Sequence, residues 1–259
     1  MPRSRKTREH ASTPLRRDRS AQDTDLEQLA QFISHELRNP ISTLQAFLTI
    51  LLREQTGPLN DVQRDFVSSM LSISHRLERL SDDIRVAFAD GSEVSVQPSM
   101  VDVRAVVESC QREVSSIVHS DGLSIELDID NMRDWTMTQD PVRLAQIASN
   151  LLENAVRHSP DEGTVRLALR QSTSRLFLVV ENESYQDLSE SDLEALFAPY
   201  ARGSSASTRH PGGSGLGLAV VTHLVAALRG RIVIRAGKGR VSIGIVLPRS
   251  IPGESGAGE

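Results

Sequence analysis

The sequence predicts an α+β chain of two domains. An antiparallel helical hairpin pairs with a second copy into a four-helix bundle, and an α/β sandwich follows it. Three observations lead there. Apolar residues recur every three or four positions from Leu26 to Ala87, broken once at Gly57–Pro58. Beyond Asp90–Gly91 the pattern changes to short apolar or alternating runs separated by helical stretches. The 259 residues suffice for one or two domains at roughly 150 each.

Residues 1–24 read as a disordered basic tail. Arg3, Arg5, Lys6, Arg8, Arg16, Arg17 and Arg19 stand against Glu9, Asp18 and Asp23, and apolar side chains are nearly absent. Contact of this arm with anionic lipid, nucleic acid or a partner is the alternative. Residues 25–90 form the hairpin domain. Its first run is Leu26, Ala30, Ile33, Leu37, Ile41, Leu44, Leu48 and Leu51, with Pro40 expected to kink the helix. Its second run is Val62, Phe66, Met70, Ile73, Leu77, Leu80, Ile84 and Ala87, spaced like a coiled-coil seam. One hairpin leaves apolar surface uncovered, so the reading is a homodimer. The sandwich covers residues 97–249. Strands are expected at 123–129, 164–169, 175–180, 231–235 and 241–247, and helices at 102–118, 141–158, 189–197 and 216–229. Residues 250–259 are rich in Gly, Ser and Glu and read as a second disordered tail.

Composition excludes several classes. Aromatics are 3%, too few for a base-stacking platform. A net charge of -5 argues against a nucleic-acid binder. Cys110 is the single cysteine, so an intrachain disulfide or a cysteine zinc site is excluded. No apolar run nears the roughly 18 residues of a membrane span, and the basic N-terminus lacks a signal peptide's apolar stretch. A cytoplasmic protein is expected.

Three motifs carry chemistry. In Phe32–Pro40, His35 lies two positions from Ile33 and from Leu37, so it points away from the seam into solvent. Asn39 falls one turn on, on the same face, and Glu36 is adjacent to orient a ring proton. A neutral imidazole beside a carboxylate is a competent nucleophile. In Asn150–His158, Asn150, Asn154, Arg157 and His158 share one polar helix face. Amide oxygens suit Mg²⁺, with Asn154 as ligand, and arginine suits phosphate. In Gly212–Leu218, glycines let backbone N–H groups approach phosphates where a helix begins. Gly213, Gly215, Leu216, Gly217 and Leu218 belong to this loop. The polar stretch Arg202–Pro211 before it reads as a lid, and Arg202 joins the nucleotide-binding set. Neither the dinucleotide nor the Walker fingerprint fits.

In this order the motifs resemble the sensor histidine kinases of bacterial two-component systems, over residues 25–249. His35–Pro40 resembles the phospho-acceptor box, Asn150–His158 the N box, and Gly212–Leu218 the second glycine box. Leu196–Tyr200, with Phe197, resembles the F box. The resemblance implies ATP and Mg²⁺ as cofactors, autophosphorylation on His35, and transfer to an Asp of a response regulator receiver domain. It further implies that Asn39 positions water for dephosphorylating the regulator. Gyrase-like and Hsp90-like ATPases carry Glu where Asn150 stands and lack the His35 helix.

One stretch departs from the family. Where relatives have Asp-x-Gly-x-Gly, with the Asp on the adenine amine, this chain reads Val180–Tyr185. Asn182 is nearest the Asp position and Glu181 is the second candidate. An amide oxygen still accepts from the amine, without charge. A histidine phosphotransfer scaffold with a degenerate nucleotide domain is therefore the alternative. Residues 1–24 are too short to fold an input domain, so the signal is expected to come through an upstream sensory partner, the basic arm or the nucleotide domain itself. Trp135 is expected to pack against the core.

Overall fold

The computed structural model describes residues 21–88, 94–118, 122–130, 133–184, 189–197 and 215–251, with side chains from Leu29 onward. Two long helices, α1 (Ala21–Leu52) and α2 (Asp61–Phe88), form the hairpin. α1 begins four residues before the expected end of the tail and runs through Pro40 without a break. Asn60 and Gln63 make a reciprocal capping box at the start of α2, each side chain accepting from the other's backbone N–H.

The expected seams are divided between the face where the two helices meet and an outward face. Ala30, Ser34, Ile41 and Leu48 of α1 and Ser74 and Ser81 of α2 are buried. Ser34 Oγ donates to Ser81 O at 2.7 Å, and Ser81 Oγ donates to Ser34 O at 3.1 Å. Small hydroxyl side chains let the backbones approach, and each hydroxyl also satisfies its own hydrogen-bonding need. Farther along, Gln45 Nε2 donates to Glu78 Oε2 at 2.9 Å. Ile33, Leu37 and Leu44 of α1 are exposed instead, as are Val62, Phe66, Met70, Ile73, Leu77 and Leu80 of α2. On α2 the apolar run from Val62 to Leu80 marks an outward face, whereas α1 divides its run, with Ala30, Ile41 and Leu48 inward and Ile33, Leu37 and Leu44 outward.

The second domain opens with β1 (Ser99–Asp102) and α3 (Val103–Val118). β2 (Ser124–Asp128), β3 (Thr136–Gln139) and α4 (Pro141–His158) follow. Then come β4 (Thr164–Gln171), β5 (Arg175–Glu183), α5 (Glu190–Ala195), α6 (Gly217–Ala227), β6 (Arg231–Gly237) and β7 (Arg240–Pro248). β2, β4, β5, β7 and β6 make one mixed sheet in that order, parallel between β2 and β4 and antiparallel elsewhere. β1 and β3 form a separate antiparallel pair that the sequence reading lacks. Each has four residues, too short to show a period.

α4 and α6 bury one face of the sheet. Leu144, Ile147, Leu151 and Leu152 meet Leu167, Leu169, Leu176 and Leu178 in one core. Cys110 and Trp135 are part of it. So is Val94, and Ser250 bridges Thr138 while Ile251 is buried. The domain therefore extends beyond 97–249 at both ends. The C-terminal end of α2 enters the same core through Val86 and Ala87.

Candidate functional site

His35 sits on the outer face of α1 with 71% of its side chain exposed. Glu36 Oε1 lies 3.6 Å from Nδ1, which turns Nε2 outward. Asn39, one turn on, is exposed, and its backbone carbonyl accepts from Thr43 Oγ1 at 3.0 Å. Ser34, one residue before His35, is locked to Ser81, so the His35 face has a fixed orientation on the hairpin.

The second group of residues gathers where α4 meets the start of α6. α4 is well begun: Pro141 occupies its first turn and Asp140 accepts from Val142 N and Arg143 N. Farther along, Asn150 Nδ2 donates to Gln146 O at 3.0 Å. A Cβ on Gly217 would lie 2.8 Å from Asn150 Oδ1, so any larger residue there collides with the amide. Gly215 has φ +72°, a backbone that favours glycine. No side chain caps α6 at Leu216. Leu216 and Leu218 are buried and anchor the loop's end to the core.

Asn154 and Arg157 are half-buried on α4. His158 is exposed as a residue, yet burial of its ring, and then the Arg157 charge, holds its pKa below the ordinary value. Phe197 is half-buried against the core. Arg202 and Gly213 lie outside the described residues.

Asn182 ends the buried row of β5 and is 5% exposed. Its Nδ2 donates to Glu183 O at 2.6 Å. Alternation on β5 puts Glu181 on the opposite face, where Arg240 Nη1 lies 3.3 Å from its carboxylate. Of the two candidates, Asn182 alone shares the face covered by α4 and α6.

Sequence reasoning missed a third cluster, at the junction of the domains. Asp82 on α2 accepts from Arg85 of its own helix at 2.7 Å and from Arg143 of α4 at 2.9 Å. Arg38 of α1 lies 3.9 Å away. Burial raises the Asp82 pKa, but Arg85 and Arg143 outweigh it and hold the carboxyl below its usual range. Asp83 accepts from Gln146 Nε2 at 2.8 Å, and burial pushes its carboxyl up to about 6. No motif marks these residues, because their meeting depends on how α2 lies on α4.

Comparison with known proteins decides the family. Residues 25–88 match the model of the His Kinase A (phospho-acceptor) domain. Residues 139–251 match that of the histidine kinase-, DNA gyrase B- and HSP90-like ATPases. The chain belongs to the sensor histidine kinases of two-component systems. This histidine kinase chain is 26% identical over 260 residues to the sensor histidine kinase AtsR of Burkholderia thailandensis, covering 96% of the chain and 42% of AtsR. It is 30% identical over 218 residues to the signal transduction histidine-protein kinase BaeS of Escherichia coli, covering 83% of the chain and 45% of BaeS. It thus spans less than half the length of either relative. In fold it is similar to the Acinetobacter baumannii histidine kinase AdeS, with a TM-score of 0.54 and 23% identity, covering 84% of this chain and 98% of that one. A mycobacterial sensor histidine kinase, MprB, gives a TM-score of 0.51 at 26% identity, covering 60% of this chain and 100% of that one. The ATPase model implies ATP binding by the second domain. Among the described residues, no helix is long and apolar enough to cross a membrane.

Proposed function

We propose that the chain autophosphorylates His35 from ATP and passes the phosphoryl group to an aspartate of a response regulator receiver domain. The observation that carries this is the exposed His35 with Glu36 against Nδ1, in a chain whose second domain has the ATP-binding family pattern. Nε2 attacks the γ-phosphorus, the bond to the β–γ bridging oxygen breaks, and ADP leaves. Glu36 takes the Nδ1 proton from the phosphorylated ring. Catalysis is otherwise positioning and charge neutralisation.

The nucleotide fits the residues present. Gly217 keeps clear of the Asn150 amide, and Gly215 adopts the backbone that glycine favours, so the α6 end of the loop can lie close to phosphates. Gly213 and Arg202 complete the phosphate contacts in this reading, with Arg157 and His158 on α4. Phe197, in the stretch that resembles the F box, belongs to the nucleotide-binding set in this reading. Asn182 offers its amide oxygen to the adenine amine, its NH₂ being spent on Glu183 O. Mg²⁺ would rest on the amide oxygen of Asn154 and on phosphate oxygens, the hard donors it takes. When bound, Mg²⁺ neutralises phosphate charge.

Asn39, on the His35 face, positions water for dephosphorylating the regulator. The outward apolar stripe of α1 and α2 pairs with a second copy, giving a homodimer. The reading places this domain pair in the cytoplasm, with ATP. Asn182 in place of an acid favours one second reading, a phosphotransfer scaffold that binds no ATP. With labelled ATP, wild type should acquire acid-labile, alkali-stable phosphate and His35→Gln none. Equal labelling of the two sinks the kinase reading, and calorimetry without ATP binding transfers support to the scaffold.

A further inference from the structure

The junction between hairpin and ATP domain is polar and asymmetric. Asp82 has three guanidinium neighbours, Arg38 from α1, Arg85 from α2 and Arg143 from α4. Arg143 is 12% exposed on its side chain and also donates to Gln146 Oε1 at 3.0 Å. Gln146 Nε2 then reaches Asp83 Oδ1 at 2.8 Å and Asp82 Oδ2 at 3.4 Å. Asp83 thus receives a neutral amide where Asp82 receives cations. The other charges facing Asp83 are Asp82 and Arg79 on α2 and Glu153 on α4. Arg79 is ion-paired with Glu113 of α3. α6 also packs on α2, and its one titratable side chain is His223.

Docking therefore half-buries a carboxyl facing two other carboxylates and Arg79, with one amide donor. A charged Asp83 opposes this contact, and a protonated one does not.

We propose that Asp82 and Asp83 of α2, with Arg143 and Gln146 of α4, form a proton-gated latch that holds the ATP domain against the hairpin. The latch stands independently of the kinase reading above. Asp82 with Arg143 supplies the pH-independent grip, and Asp83 supplies the gate. Burial pushes the docked Asp83 up to about 6 from 3.8, so docking takes up a proton. Acid pH strengthens the latch, and it weakens as pH rises through about 6. Between about pH 8 and about pH 5 the docking equilibrium should shift roughly tenfold toward the docked form.

The test is small-angle X-ray scattering of the full chain near pH 5 and near pH 8, with molecular mass followed by light scattering. Wild type should expand on going to the higher pH at constant mass. Asp83→Asn keeps the amide-sized side chain without the charge, and should stay compact at both. Gln146→Ala should be more expanded than wild type near pH 5. Asp65→Asn, exposed on the same helix, should behave as wild type. Circular dichroism establishes that each variant is folded. Equal radii of gyration for wild type at the two pH values, or an Asp83→Asn chain that opens like wild type, overturn the latch. Autophosphorylation of wild type and Asp83→Asn is followed on the same samples. Should neither protein label while the scattering difference holds, the latch stands and the kinase reading falls. Normal labelling with pH-independent scattering removes the latch alone.

Discussion

Along α2, Val62, Phe66, Met70, Ile73, Leu77 and Leu80 are all exposed. Along α4, Leu144, Ile147, Ala148, Leu151, Leu152 and Ala155 are all buried. Both helices are amphipathic, and both sequences repeat at helical spacing. The difference is what lies opposite. α4 faces a five-stranded sheet of its own chain, so its apolar side chains are withdrawn from water within one molecule. α2 meets α1 through Ser74, Ser81 and Glu78, and offers its apolar stripe to something else. The ATP domain carries its own core, whereas the hairpin is built for company.

The sharpest way to break this contrast is a charge on the outward stripe. Leu77→Asp should leave the single hairpin helical, since that side chain faces out. In a dimer it places a carboxylate from each copy in the covered seam, at several kcal/mol per buried charge. Light scattering at micromolar concentration should show a monomer, and calorimetry should show unchanged ATP binding. A dimer that survives would mean that another face pairs.

A core truncation in the other region should act without regard to concentration. Leu167→Ala removes a fully buried side chain at the centre of β4. It should cost about 2–5 kcal/mol, read as a lower melting temperature of the ATP domain that does not change on dilution. Concentration dependence of that loss would show that the second domain also leans on a partner copy.

The smallest expected effect lies at Asn182. Asn182→Asp exchanges a neutral acceptor for a charged one at the same place on β5. ATP affinity should tighten about fivefold, or about 1 kcal/mol. Glu181→Asp, on the opposite face and paired with Arg240, should leave it unchanged. The reverse pattern would move the adenine contact to Glu181.

Much of the site was legible before folding, because its chemistry is local. His35, Glu36 and Asn39 lie within five residues, and helical geometry alone puts His35 outward, as found. Asn150 and Asn154 are one turn apart on one helix for the same reason. Long elements were legible too, since α3, α4 and the five sheet strands span enough residues to display a period. β1 and β3 escaped for want of length. The tail boundaries were misplaced by a few residues: Ala21 to Thr24 already belong to α1, and Ile251 fills a place in the core.

The sequence by itself determined which positions on each helix are apolar, which residues are candidates for the nucleophile and the phosphate loop, and that two domains follow each other. Whether an apolar stripe points inward or outward was decided by the tertiary structure. Periodicity records a face, and the partner of that face is set by the small side chains of Ser34 and Ser81, which let α1 and α2 meet elsewhere. Tertiary structure also decided that Asp83 lies against Gln146, 63 positions away, and not in water. A carboxyl's charge state depends on its surroundings in space, and no local pattern in the chain encodes them.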